Sequence, residues 1–264
     1  MKPVARKIGI IGHGAIGARV AADVAAGKVA GASLEGIVSR SPVPNAPAAR
    51  LDMAEALERC DVLVECAGQE ALAEHGEAVL SAGVDLLATS LGALADPDLS
   101  GRLSAAGPGR LFLTSGSIGG LDLLASGARA TGYDAVKITT TKLPASLVQP
   151  WMDEKEEDRI RNTAVPLEIY QGPADQATRL FPKSLNVAAA VALAVADWGV
   201  DVSVRVDPAA RLTTHVIEAA GNSGTYRFEI CNQVSPQNPR TSGIVPFAVL
   251  RSLELIVGAR GGII

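Results

Sequence analysis

Three observations predict an α/β chain in which a doubly wound parallel sheet precedes a second, α+β domain. Short apolar runs alternate with stretches of helical spacing over the first 118 residues, as successive βαβ units do. The first run, Lys7-Ile8-Gly9-Ile10-Ile11, leads into Gly12-His13-Gly14-Ala15-Ile16-Gly17 and an alanine-rich segment, which is the order strand, glycine turn, helix start. Past residue 118 longer β-type runs take over.

Within the turn each glycine has a separate task. The first permits the tight bend, the second lets a pyrophosphate approach the backbone, and the third lets the helix pack on the strand. Free N–H groups at the helix start then face the phosphates, so the first domain is expected to be of the Rossmann type and to bind a dinucleotide. The cofactor-contact candidates are Gly12, Gly14, Ala15, Ile16 and Gly17, joined by Cys66 and Ala67 at the end of a later strand. Ser33 to Val38 reads as the second strand, Asp61 to Ala67 as another, and Val84 to Thr89 and Arg110 to Thr114 as two more. Met53 to Arg59 and Ala71 to Ala82 have helical spacing, and the three prolines of Ser41 to Pro47 make a loop past the second strand.

In the second domain, one helix after Gly120 is followed by strand candidates at 136–142, 166–170, 202–206, 211–219 and 225–230. An alanine-rich helix over 184–198, stopped by Gly199, lies among them. Thr241-Ser242 can cap a last helix over 244–259, apolar on most sides and therefore expected to be buried. That helix is expected to return to the first domain, giving 1–118 plus 240–264 for the dinucleotide and 119–239 for substrate, catalysis and dimerisation. The charged cluster Asp153 to Arg159 reads as solvated surface.

Composition narrows the function. A net charge of −4 gives no broad footprint for nucleic acid, and 3% aromatic residues leave no stacking platform for it. No apolar run approaches the length of a membrane span, and the chain's start lacks a signal-type apolar region, so a cytoplasmic protein is expected. The three cysteines, Cys60, Cys66 and Cys231, have unrelated spacings, which fits neither a disulfide framework nor a zinc cluster. No metal site is expected.

NAD enzymes of this fold place Asp or Glu about twenty residues past the glycine turn, on the ribose 2′-OH. Here that position reads Ser39-Arg40-Ser41, whose hydrogen bonds and positive charge suit a 2′-phosphate, so NADP is expected to be accepted as well as NAD. Of three histidines, His13 sits in the glycine turn, His75 beside two glutamates in a helix, and His215 in a strand-like alternation of the second domain. His215 is the best candidate for a general acid or base. Lys183 and Ser184, in Phe181-Pro182-Lys183-Ser184-Leu185-Asn186-Val187, stand where a helix start can meet an anion, and Asn232 to Ser242 is a polar loop.

Taken together the segments resemble the L-aspartate dehydrogenase family. The resemblance is carried by Ile8 to Gly17, Ser115-Gly116-Ser117-Ile118-Gly119-Gly120-Leu121-Asp122, Thr141-Lys142-Leu143-Pro144, Phe181 to Ala189, His215 with Gly221-Asn222-Ser223-Gly224, and Asn238-Pro239-Arg240-Thr241-Ser242. It implies oxidation of L-aspartate to iminoaspartate with hydride transfer to NAD(P)+. The imine then hydrolyses to oxaloacetate and ammonia or feeds NAD biosynthesis. It also makes His215 the catalytic histidine and puts Ser117 and Asn186 at cofactor contacts near the nicotinamide. Two substrate carboxylates need cationic or N–H partners, for which Lys142, Lys183 and Ser184 are the candidates. The family commonly has alanine at the position of Ser117, asparagine at that of Ser184 and an acidic residue near Ser39-Arg40, so the last departure leaves cofactor preference open. The alternatives are a two-domain NAD(P) oxidoreductase acting on another amino acid or a cyclic imine, and a non-catalytic NAD(P) sensor. A homodimer is expected from the frequency of two-fold oligomers.

Overall fold

A computed structural model describes residues 5–258, which form two compact units, 5–116 with 245–258 and Ser117–Ile244. The first contains, in order, β1 (Arg6–Ile11), α1 (Ala15–Ala25), β2 (Ala32–Val38), β3 (Arg50–Leu51), α2 (Met53–Arg59), β4 (Val62–Glu65), α3 (Gln69–Ser81), β5 (Asp85–Ala88), α4 (Pro97–Ala105) and β6 (Leu111–Leu113). The strands pair in parallel in the order β3-β2-β1-β4-β5-β6, which is the expected doubly wound sheet. Every residue of β4 and β5 is buried, which is why these runs are mainly apolar and do not alternate.

Two carboxylates break that apolar run, and both are satisfied. Asp85, at the start of β5, accepts from Arg6 and Arg110 at 2.9 and 2.7 Å and so ties β1 to the entry of β6. Glu65, at the end of β4, is fully buried and accepts backbone N–H groups from the loops after β4 and β5. Local signals start the helices: Asp52 and Glu55 form a reciprocal capping box on α2, and Asp96 with Pro97 opens α4.

The second unit contains α5 (Leu121–Ala130), β7 (Ala135–Lys142), α6 (Glu154–Arg161), β8 (Leu167–Pro173), α7 (Ala174–Leu180), α8 (Asn186–Val195), β9 (Asp201–Val206), β10 (Thr213–Gly221), β11 (Gly224–Asn232), β12 (Val234–Ser235) and β13 (Asn238–Ser242). Five strands form a mixed sheet in the order β11-β10-β7-β9-β8, with only β7 and β9 parallel, while β12 and β13 pair separately. Alternation along β7 buries Ile138, Thr140 and Lys142, and alternation along β10 buries Thr213, His215 and Ile217. One sheet face thus mixes an apolar core with a lysine and a histidine. Gly221 and Gly224 face each other across a two-residue turn at Asn222-Ser223, so this part of the family-like pattern closes a hairpin.

The last helix, α9 (Val245–Ile256), packs on α1 in the first unit, with Val249, Leu250 and Leu253 in the core around β1 and α1. It is not buried on most sides as expected: Phe247 and Leu255 are exposed, because only one face meets the sheet layer. Thr241-Ser242 does not cap it either, since both residues lie in β13 and the helix begins only at Val245. The alanine-rich helix is shorter than 184–198. It ends at Val195 through a left-handed Ala196 (φ 56°), with the Asp197 N–H bonded to the Ala192 carbonyl and the Ala196 N–H to that of Leu193. Gly199 therefore plays no part in the stop.

Candidate active site

The first unit presents a dinucleotide cradle at the carboxyl ends of β1 and β4. Gly12 has φ +93°, and a Cβ there would lie 2.9 Å from Ala67. A Cβ at Gly17 would come within 2.1 Å of the Gly12 carbonyl oxygen, so the helix can lie against the turn only with glycine here. At Gly14 a Cβ would meet nothing within 4 Å, so the backbone is open on the side where a pyrophosphate approaches. No side chain caps α1 and its first turn holds no acidic residue, which leaves the helix start to an anion. The residues present therefore fit a dinucleotide.

Around this turn Ile16 packs on the core, Ala67 is exposed and Cys66 is half-buried with its N–H on the Ile11 carbonyl. Glu65, which sequence reasoning missed as a functional residue, shapes the facing loop. Its Oε1 accepts the N–H groups of Ala67 and Gly68 at 2.7 Å each, and its Oε2 accepts that of Ser90 at 3.0 Å. Burial pushes the Glu65 carboxyl up against the pull of these donors. The carboxylate was visible inside an apolar run, but its partners are backbone groups that only the fold assembles.

At the end of β2, Ser39 is half-buried and Arg40 exposed. Arg50, not singled out from sequence, joins them: β3 pairs Arg50 with Ile37, and its Nε donates to the Ser39 carbonyl at 2.7 Å. The nearby acids are engaged elsewhere, Glu35 with Arg59 and Asp52 with the start of α2. This edge of the first unit is thus cationic.

In the second unit His215 is 1% exposed, and its Nδ1 lies 3.0 Å from Thr140 Oγ1 across the β7–β10 pairing. Burial first, and then the charge of Lys142, push the imidazole down to about 3, so it is neutral at physiological pH. Lys142 is also buried. Its Nζ donates to the carbonyls of Arg240 at 3.1 Å and Ser184 at 3.4 Å, and burial pushes it down to about 8. The structure therefore brings His215, Lys142, Ser184 and Thr140 together, and Thr140 is a partner that only the strand register reveals. Lys183, by contrast, is exposed. Ser117 is buried and accepts the Asn232 side-chain N–H at its carbonyl, while Asn186 is the first residue of α8. His13 is half-buried in the glycine turn, and His75 lies 3.7 Å from Glu74 on α3. Among the described residues no cluster of histidine, cysteine or acidic groups could hold a metal ion.

A parallel doubly wound sheet whose glycine turn fits a pyrophosphate defines a dinucleotide-binding protein with a separate α+β domain. Comparison with known proteins makes this particular. Residues 122–256 match the family model for the aspartate dehydrogenase C-terminal domain, and residues 12–108 match that for the homoserine dehydrogenase NAD-binding domain. The chain is 40% identical to an L-aspartate dehydrogenase of Ruegeria pomeroyi over 94% of its own length and 91% of the relative's. It is 35% identical to that of Serratia proteamaculans over 96% and 97%. The crystal structure of an aspartate dehydrogenase from Thermotoga maritima superposes with a TM-score of 0.74 at 27% identity, covering 98% of both chains. The chain belongs to the aspartate dehydrogenase family. A dihydrodipicolinate reductase from Paenisporosarcina, with a TM-score of 0.53 and 13% identity over 97% and 96% of the chains, shares the fold alone.

Proposed function

We propose that this chain oxidises L-aspartate to iminoaspartate with NAD(P)+, the imine then taking up water to release oxaloacetate and ammonia. The observation that carries this reading is a neutral, fully buried His215 beside Lys142 in a chain of this family. Gly12, Gly14, Ala15, Ile16 and Gly17 would hold the cofactor, which would supply the acceptor for the Cα hydride. Cys66 and Ala67 border it, and Ser117 and Asn186 are its nicotinamide-side contacts by family resemblance.

The substrate's ammonium must lose a proton before the hydride can leave, because the lone pair on nitrogen forms the C=N bond. His215 takes that proton. In the tautomer whose Nδ1–H donates to Thr140 Oγ1, Nε2 is left as the acceptor, and once it has passed the ammonium proton to solvent the same nitrogen takes a proton from the water that adds to the imine. Lys142, Ser184 and the exposed Lys183 are the cationic and hydroxyl groups proposed for the carboxylates.

Ser39, Arg40 and Arg50 favour a 2′-phosphate, so NADP+ is the proposed preferred acceptor. A homodimer and a cytoplasmic setting complete the proposal; no described helix is long and apolar enough to cross a membrane. Nicotinamide absorbance, followed with L-aspartate, D-aspartate, L-glutamate and L-alanine against each cofactor, tests the reaction. Turnover confined to L-aspartate is expected. Silence with all four, and in the reverse direction with oxaloacetate and ammonia, overturns it.

A further inference from the structure

We propose that Lys142 and the hydroxyl of Ser184, whose carbonyl Lys142 touches in the unit that also holds His215, form the seat of one substrate carboxylate. This rests on the reaction proposed above and specifies where its dicarboxylate is held.

Lys142 is only 4% exposed, and among the described residues no carboxylate pairs with it. Among the described residues its two partners are neutral carbonyls, of Arg240 and Ser184, while an ammonium carries three N–H donors. The neighbours on its sheet face supply no anion: Lys142 pairs with Val206 and Thr140 with Val204 on β9, and His215 pairs with Thr140 on β10. A buried cation without a counter-ion is costly, and its strain registers in the lowered proton affinities of both Lys142 and His215.

The second deficit lies on the residue that Lys142 touches. Ser184 Oγ is buried and is the one such side-chain polar atom without a hydrogen-bond partner among the described residues. A buried hydroxyl left unpaired is itself destabilising. One anion that accepts both the remaining Lys142 N–H and the Ser184 O–H removes both deficits at once. A carboxylate has the matching form, with two acceptor oxygens for two donors and a single charge for a single cation.

The test pairs steady-state kinetics on L-aspartate, NADP+ being the acceptor, with thermal unfolding of the full, NADPH-loaded chain in succinate, a dicarboxylate without an amino group to oxidise. Lys142→Met is expected to raise KM for L-aspartate about 100-fold and Ser184→Ala about 10-fold, with NADPH affinity unchanged in both. Succinate is expected to raise the Tm of the wild type and not that of Lys142→Met. Without succinate, the Tm of Lys142→Met equals or exceeds the wild-type value, because a buried charge has been replaced by an apolar chain of similar length. Lys155→Met, on the exposed face of α6, leaves all readings unchanged.

An unchanged KM in Lys142→Met, or a succinate shift that survives the substitution, overturns the proposal. So does a lowered Tm with lost NADPH binding, which would make Lys142 structural, and so does an equal wild-type shift with inorganic phosphate, which would deny the carboxylate. If the wild type does not oxidise L-aspartate, the proposed reaction fails on its own, and the succinate measurements still decide the seat.

Discussion

As the proposed base, His215 is neutral at physiological pH, because burial first and then the nearby Lys142 charge disfavour its protonated form. A carboxylate seated on Lys142 cancels the second of these causes and raises proton affinity only once substrate is present. His215→Ala is therefore expected to lower kcat by about a thousandfold while leaving NADPH binding intact, measured by turnover and by fluorescence titration. Near-normal turnover would remove the histidine from the chemistry. Its environment is only partly legible in sequence. The alternation Leu212 to Ile217 marks an inward-facing position, but Thr140 lies 75 residues away and meets it only through the register of β7 on β10.

Among the elements, the end of α8 and the edge formed by β2 and β3 carry the clearest expectations. Ala196 holds a left-handed conformation that its Cβ disfavours, in a closure where glycine is usual. Ala196→Gly is expected to stabilise the protein by up to about 1 kcal/mol, read from urea unfolding, since relief of the strain exceeds the added freedom of the unfolded chain. A loss of stability would mean the Ala196 methyl packs usefully. At the β2 edge, Arg50 braces the Ser39 carbonyl and brings a second guanidinium to the place where Arg40 is exposed. Arg40→Ala and Arg50→Ala are each expected to weaken NADP+ binding about tenfold against an unchanged affinity for NAD+, by equilibrium titration. Equal losses for both cofactors would dismiss the 2′-phosphate reading. The spacing from the glycine turn points to Arg40. It does not point to Arg50, because a two-residue strand after a proline-rich loop has no period to detect.

Across the whole molecule, the buried groups set how stability varies with pH. His215 titrates near 6.5 when unfolded and at about 3 when folded, so between these values the unfolded chain binds more protons and stability falls as pH is lowered through that window. At pH 5 the cost is roughly 2 kcal/mol. Lys142 acts in the alkaline range: with 10.5 unfolded and about 8 folded, it costs the fold roughly 3 kcal/mol below pH 8, a penalty relieved as pH rises toward 10.5. Urea unfolding of wild type and His215→Leu at pH 7 and pH 5 is expected to show a smaller acid loss in the variant; equal losses would place the acid sensitivity in other groups.

The glycine turn, the alternation of short strands with helices, and the change of pattern near residue 118 specify the doubly wound sheet and the dinucleotide cradle before any contact is known. They do so because backbone conformation, helix period and burial on both faces are local properties written into consecutive residues. Long-range folding alone buries Lys142 with no carboxylate partner among the described residues, leaves the Ser184 hydroxyl without a hydrogen-bond partner among them, aims Glu65 at two loops and leaves Lys183 exposed. Each of these depends on which distant backbone and side-chain groups the strand register brings within about 3 Å, and no local pattern encodes that.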